Sequence, residues 1–194
     1  MLADNQINTS GRKGFNMGSP SKNKGKNGER ELAKILSDFF NEPFSRVFGS
    51  GAFVGGSNAH RKASLSQTAI RSSKADLIAP DSMPKMVIEC KWYKSFPWHQ
   101  LVRNETIKLL EDPIDNKGRG GWITQVLASI DTGDEWFLCM KFNNIDWFIL
   151  LPNSAVIAHG YNLQNHVSWK EYVITDLRTF FTDNKDLVKS VCSA

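Results

Sequence analysis

Long apolar runs are missing from this chain of 194 residues. A membrane-spanning helix takes about 18 or more consecutive apolar residues, and no stretch approaches that length. Met1–Phe15 also lacks the apolar core of a signal peptide. Cysteine is scarce: Cys90, Cys139 and Cys192 are widely spaced, odd in number and form no Cys-x-x-Cys pair. That argues against a disulfide scaffold or a zinc site and fits a reducing cytoplasm. Histidine is sparse too. His99, His159 and His166 have no metal-ligand spacing and are expected to be structural, whereas His60 sits among basic residues and could touch phosphate.

Acidic residues are absent from one long stretch, residues 49–75, which holds Arg61, Lys62, Arg71 and Lys74 together with Gly49, Gly51, Gly55 and Gly56. Residues 1–75 carry 12 Lys or Arg against 5 Asp or Glu, and the remainder carries 12 against 15. A basic half joined to a mildly acidic half suggests a face that meets a polyanion, with a solubilising basic tail as the plain alternative. The rest of the composition, 41% apolar and 23% charged, is that of an ordinary globular domain large enough to bury a substantial core.

Residues 1–25, rich in Gly, Ser, Asn and Lys, read as a mobile basic arm, leaving 26–194 as one domain. Leu32, Ile35, Leu36, Phe39 and Phe40 recur at helical spacing and predict a helix over 27–40, closed by Pro43. Short strands follow at 44–48 and 76–79, and Pro80-Asp81-Ser82 supplies a turn into a third strand, 86–92. A helix is expected around 98–110, a glycine-rich break at Lys117–Gly121, an apolar-periodic segment at 122–130, and strands at 135–142 and 147–151. Ser168-Trp169-Lys170-Glu171 has the form of a helix capping box, although 172–175 would serve equally as strand. The order implies a single α/β domain around a mixed sheet flanked by helices.

The third strand poses a chemical problem. Alternation puts Met86, Ile88, Cys90 and Trp92 on one face and Val87, Glu89 and Lys91 on the other. Two charges near the middle of a sheet are costly unless something compensates them. Hairpin geometry can bring Asp76 beside Glu89, and a divalent cation such as Mg²⁺ compensates a carboxylate pair of that kind. The plain reading is a surface Glu–Lys pair with an unrelated Asp. Glu29 shares a helix face with Leu32 and Leu36, so it could join them or merely complement the helix dipole, whereas Glu31 is expected to face water.

Taken in order, these residues resemble the PD-(D/E)xK nucleases, and most closely the archaeal-type Holliday junction resolvases. A KGxxxER segment stands at Lys24–Arg30, followed by Arg46 on a short strand and a Ser-Gly pair at Ser50-Gly51. Asp76-Leu77-Ile78-Ala79 and Ile88-Glu89-Cys90-Lys91 complete the pattern. Ala75 stands where that family usually has proline, and the span from Ser50 to Asp76 exceeds its norm. The resemblance implies a restriction-endonuclease-like fold and a Mg²⁺-dependent endonuclease, with Mn²⁺ as a substitute. It implies catalytic roles for Glu29, Ser50, Asp76, Glu89 and Lys91. Metal would be held by Glu29, Asp76, Glu89 and the Cys90 carbonyl. Lys24, Lys26, Arg30, Arg46, Arg61, Lys62, Arg71 and Lys74 would contact DNA phosphates. The partner implied is four-way or otherwise branched DNA cut by a homodimer, as a cytoplasmic, nucleoid-associated activity of prokaryotic or viral origin.

Two other functions stay open: a restriction, nicking or repair endonuclease of the same superfamily, and a DNA-binding module without turnover. Clustered carboxylates repel DNA, which argues against the last. Trp92 and Trp98 flank the site and offer possible base-stacking groups. The apolar strands 135–142 and 147–151 and the segment around Trp122 offer a possible dimer interface.

Overall fold

The computed structural model describes residues 20–47 and 75–193. Residues 1–19, 48–74 and 194 lie outside them, and with these most of the arm expected over 1–25 and the expectations for Ser50, His60, Arg61, Lys62, Arg71 and Lys74. A helix over Pro20–Phe40 (α1) opens the described chain, starting seven residues before the expected Asn27. It buries Leu32, Ile35, Leu36 and Phe40 and ends where Asn41 takes a left-handed conformation, φ 53°, before Pro43. Ser37 ties that end down: its Oγ accepts the Phe44 N–H at 2.9 Å.

Strands Ser45–Arg46 (β1), Leu77–Ile78 (β2) and Met86–Tyr93 (β3) pair antiparallel in sequence, with Leu77 opposite Ile88 as the hairpin reading requires. Three short helices then cross over one face: Trp98–Val102 (α2), Lys108–Glu111 (α3) and Trp122–Leu127 (α4). They deliver the chain to Glu135–Phe142 (β4), which runs parallel to β3 with Ile88 opposite Phe137. Trp147–Pro152 (β5), a helix at Asn153–His159 (α5), strands His166–Trp169 (β6) and Tyr172–Asp176 (β7), and a helix over Leu177–Cys192 (α6) complete the chain. Among the described residues the sheet has seven strands in the order β1-β2-β3-β4-β5-β7-β6. This is the α/β, restriction-endonuclease-like arrangement expected from the sequence.

Both faces of the sheet are covered. One core packs α1 and α6 against Met86, Ile88, Cys90, Phe137 and Ile149. The other packs the crossover helices against Val87, Leu138, Met140, Leu150 and Ile174. The alternation read along residues 86–92 is therefore real. Among the described residues no helix is long and apolar enough to cross a membrane.

Three expectations need correction. The single helix at 98–110 is two, because Asn104 turns left-handed (φ 54°) and its Oδ1 accepts the Lys170 N–H at 3.1 Å. The capping box at 168–171 is instead the β6–β7 turn, with Trp169 opposite Tyr172 and Lys170 at φ 52°. The final helix starts later, capped by Asp176, whose Oδ1 accepts the Thr179 N–H at 2.7 Å. Finally, β4, β5 and Trp122 do not present a surface for a second copy. Trp122, Trp136, Phe137 and Trp147 are buried within the monomer, where two cores rather than one consume them.

The crossover constrains one glycine strongly. A Cβ at Gly121 would lie 2.3 Å from the carbonyl of Leu110, whereas one at Gly25 in α1 would meet nothing within 4 Å. Gly121→Ala should therefore destabilise the fold by about 1–3 kcal/mol in denaturant unfolding. Gly25→Ala should stabilise it by about 0.5–1 kcal/mol, through helix propensity alone.

Candidate active site

The β2–β3 hairpin fixes Asp76 through its backbone before its side chain is used. Its N–H donates to the Ile88 carbonyl at 3.2 Å and its carbonyl accepts the Val47 N–H at 3.0 Å. Oδ2 then accepts the Cys90 N–H at 2.9 Å, which turns the carboxylate toward β3. The Glu89 carboxylate stands near enough to repel it. Burial and the Glu89 charge together push the Asp76 carboxyl up to about 7, against the opposing pull of Lys91 and the Cys90 N–H.

Lys91 is the counterweight. Its Nζ donates to Glu89 Oε1 at 2.5 Å and to Gln125 Oε1 at 3.1 Å. Burial alone would lower its pKa, but the Glu89 and Asp76 carboxylates outweigh that and hold it above the ordinary lysine value. Gln125, on α4, is itself oriented, because its Nε2 donates to the Gly120 carbonyl at 2.7 Å. Its amide oxygen thus faces the ammonium.

Glu29 comes from α1 on the other side. Gly28 lets the helix approach β3, since a Cβ there would lie 3.2 Å from the Trp92 ring. The Glu29 carboxylate is held by Arg46 Nε. Glu29, Asp76, Cys90, Lys91, Tyr93 and Gln125 all line one cleft of about 1040 Å³. Glu89 is joined to that lining by its bond to the Lys91 ammonium. Among the described residues no three His, Cys, Asp or Glu side chains converge closely enough to hold a metal ion by themselves. The carboxylates that crowd each other are two, Asp76 and Glu89, and a cation between them would draw its remaining ligands from backbone, water or phosphate. The Cys90 thiol, pushed well above its ordinary value by burial, is not a nucleophile here.

The expected phosphate contacts are placed unevenly. Lys24 lines the cleft, lies 5.4 Å over the Trp92 ring and donates to Asn143 Oδ1 at 2.6 Å. Lys26 is exposed, and Arg30 is exposed with a 3.3 Å bond to Asn27. Arg46 turns to Glu29, so its charge is matched inside the protein. Glu31, expected to face water, instead takes Lys141 as a partner and accepts Trp147 Nε1–H at 3.0 Å, because β4 and β5 pass beneath α1. Sequence reasoning missed Gln125, Lys108 and Arg119. Gln125 lies far from Lys91 in the chain, on a segment whose apolar spacing signals only packing.

The family model described as "Phage putative PDDEXK endonuclease" matches residues 20–191. No curated protein and no solved structure matches the chain.

The raised Asp76 pKa has a stability consequence in metal-free protein. The folded state keeps a proton that the unfolded chain releases near the ordinary carboxylate value. Stability therefore falls as pH rises from about 4 to 7, and the full penalty is present above 7. Asp76→Asn should raise Tm by a few degrees at pH 8 and change it little at pH 4. An equal effect at both pH values would show that the carboxyl is not strained by its surroundings.

Proposed function

The chain belongs to the phage PDDEXK endonuclease family, and from that premise we propose that it hydrolyses phosphodiester bonds in branched DNA, as a Mg²⁺-dependent endonuclease of the Holliday junction resolvase type. The observation that carries the reading is the Asp76–Glu89 pair, two crowded carboxylates beside Lys91, with Asp76 and Lys91 lining an open cleft. A buried acid whose ionisation a neighbouring carboxylate opposes suits a site that a divalent cation completes. Asp76, Glu89 and the Cys90 carbonyl would hold it, with Glu29 joining directly or through water once Arg46 yields. Mn²⁺ would substitute. The bound ion would supply an activated water and charge stabilisation on the phosphate.

The protein's own groups do the rest. The Cys90 N–H fixes the Asp76 carboxylate in one orientation. Glu89 and Gln125 hold the Lys91 ammonium at a defined point, where it can orient water or neutralise the pentacovalent phosphate. Lys24 and Lys26 supply phosphate contacts on one side, with Arg30 beside them. Ser50 and the basic residues between it and Asp76 would follow the scissile strand, because that stretch of sequence leads directly into Asp76. The resemblance to junction resolvases, five motifs in the right order, supports branched DNA as substrate and a homodimer that cuts two opposed strands about a two-fold axis.

A second reading is favoured by one observation. The large apolar strands that would have offered a dimer face are internal to the sheet. A nicking or repair endonuclease needs no second copy.

Incubation with four-way junction, nicked and linear DNA, with Mg²⁺ or with chelator, separates the readings. Symmetric, metal-dependent cutting of the junction by a species that sediments as a dimer is expected. Single-strand nicking by a monomer would favour the second reading. Asp76→Asn and Glu89→Gln should each abolish cleavage while leaving DNA binding intact or tighter. Lys91→Ala should lose cleavage without losing metal affinity, which titration calorimetry can read. Gln125→Ala should lower kcat at least tenfold with little change in KM, since it acts through Lys91.

A further inference from the structure

The cleft continues past Lys91, where the chemistry above uses nothing. Tyr93 follows Glu89 and Lys91 on the same face of β3, about 6.6 Å beyond Lys91 by strand rise. It is 45% exposed and lines the cleft. Exposed aromatics are ordinary when scattered singly. This one is braced. Its ring meets Trp122 edge to face, with centroids 4.8 Å apart at 62°, and Trp122 is only 3% exposed. Its carbonyl accepts the Asn143 N–H at 3.1 Å, so the backbone is pinned as well.

The charges around it are mostly positive. Lys94 and Lys108, both exposed, line the same cleft, as does Arg119, which is already paired with Asp115 at 2.7 Å. Asp112 lines that wall as well, and Asp115 is neutralised by Arg119.

The two tryptophans that the sequence offers for stacking are taken. Trp92 also lines the cleft, but from the other face of the strand, where it packs on Gly28 and has Lys24 and Lys141 over its ring at 5.4 and 4.7 Å. Trp98 is wedged among Phe96, Phe142 and Phe148. Tyr93 alone of the three combines an open face, a rigid support and the reacting side of the strand.

We propose that Tyr93 is a stacking platform for the base next to the scissile phosphate, with Lys94 and Lys108 on the adjoining phosphates. The proposal rests on the nuclease reading and deepens it, because it names the class of DNA the site selects. A base inside continuous duplex has both faces covered by its neighbours, and exposing one costs a few kcal/mol. At a branch point, flap or nick that cost is already partly met. A braced aromatic beside a basic wall is sequence-tolerant, as stacking on any base would be. The platform therefore selects DNA whose base at that position is unpaired or unstacked, whatever its sequence.

The test uses the full chain in chelator, so that binding is read apart from cleavage. A four-way junction carries 5-iododeoxyuridine at one position at a time around the branch point, and long-wavelength light is used to crosslink it. Tyr93 should be the crosslinked residue at one position per strand, identified by mass spectrometry. An abasic nucleotide at that position should weaken wild-type binding roughly tenfold, with linear duplex unaffected. Tyr93→Phe should keep both effects. Tyr93→Leu should bind the intact junction about tenfold more weakly and become insensitive to the abasic change. Crosslinks confined to other residues, or wild-type binding indifferent to the abasic nucleotide, would overturn the proposal, and neither measurement depends on a variant folding. If crosslinking and abasic sensitivity appear but no DNA is cut with Mg²⁺, the nuclease reading fails and Tyr93 is a stacking group of a binding site without a scissile phosphate. If DNA is cut without them, the nuclease reading stands and the platform fails.

Discussion

The repulsion between Asp76 and Glu89 is the constraint around which this protein is arranged. A buried carboxyl lifted to about 7 is an expensive thing to keep in a folded chain. It persists because the backbone around it is over-determined: Asp76 is bonded through its N–H, its carbonyl and its side chain to three different residues. Strain of this sort at one point calls for rigidity nearby, and the hairpin supplies it.

Each neighbouring element can be understood as a response. The crossover helices bring Gln125 to the far side of Lys91, so the ammonium is held from two directions rather than lying along Glu89 alone. For that, α4 must begin hard against Leu110, and only glycine permits it at position 121. On the opposite side α1 comes down on Trp92 through Gly28, which puts Glu29 on the cleft. Arg46 then balances Glu29, so that a third carboxylate does not join the first two unopposed. The cleft thus separates its charges: a crowded acidic pair near β2 and β3, and a largely basic wall farther along.

Much of this was legible in the sequence, and the pattern of what was not is physical. Strand alternation at 86–92 was readable because the period of two is strict and the apolar face is unbroken. The helix ending at Phe40 was readable from its repeat and from Pro43. The β6–β7 turn was misleading because Ser168 and Glu171 have capping spacing, while the decisive facts are tertiary: Trp169 is buried and its Nε1 donates to the Glu105 carbonyl at 3.0 Å. Glu31 was misplaced because helical spacing sees one helix and not the strands beneath it. Gln125 could not be found at all, since a neutral amide among apolar residues carries no signal until the fold sets it beside Lys91.

The parallel pairing of β3 with β4 bears on how the protein comes to be. Asp76, Glu89 and Lys91 lie within one hairpin, whose contacts are local and close quickly. β3 and β4 meet only after the whole crossover has been threaded between them, and such non-local pairing is slow. The Asp76–Cys90 bond spans 14 residues of chain and the Lys91–Gln125 bond spans 34. Loop closure over the shorter span costs less, so the crowded carboxylates depend on a short piece of chain and the second support of the lysine on a long one.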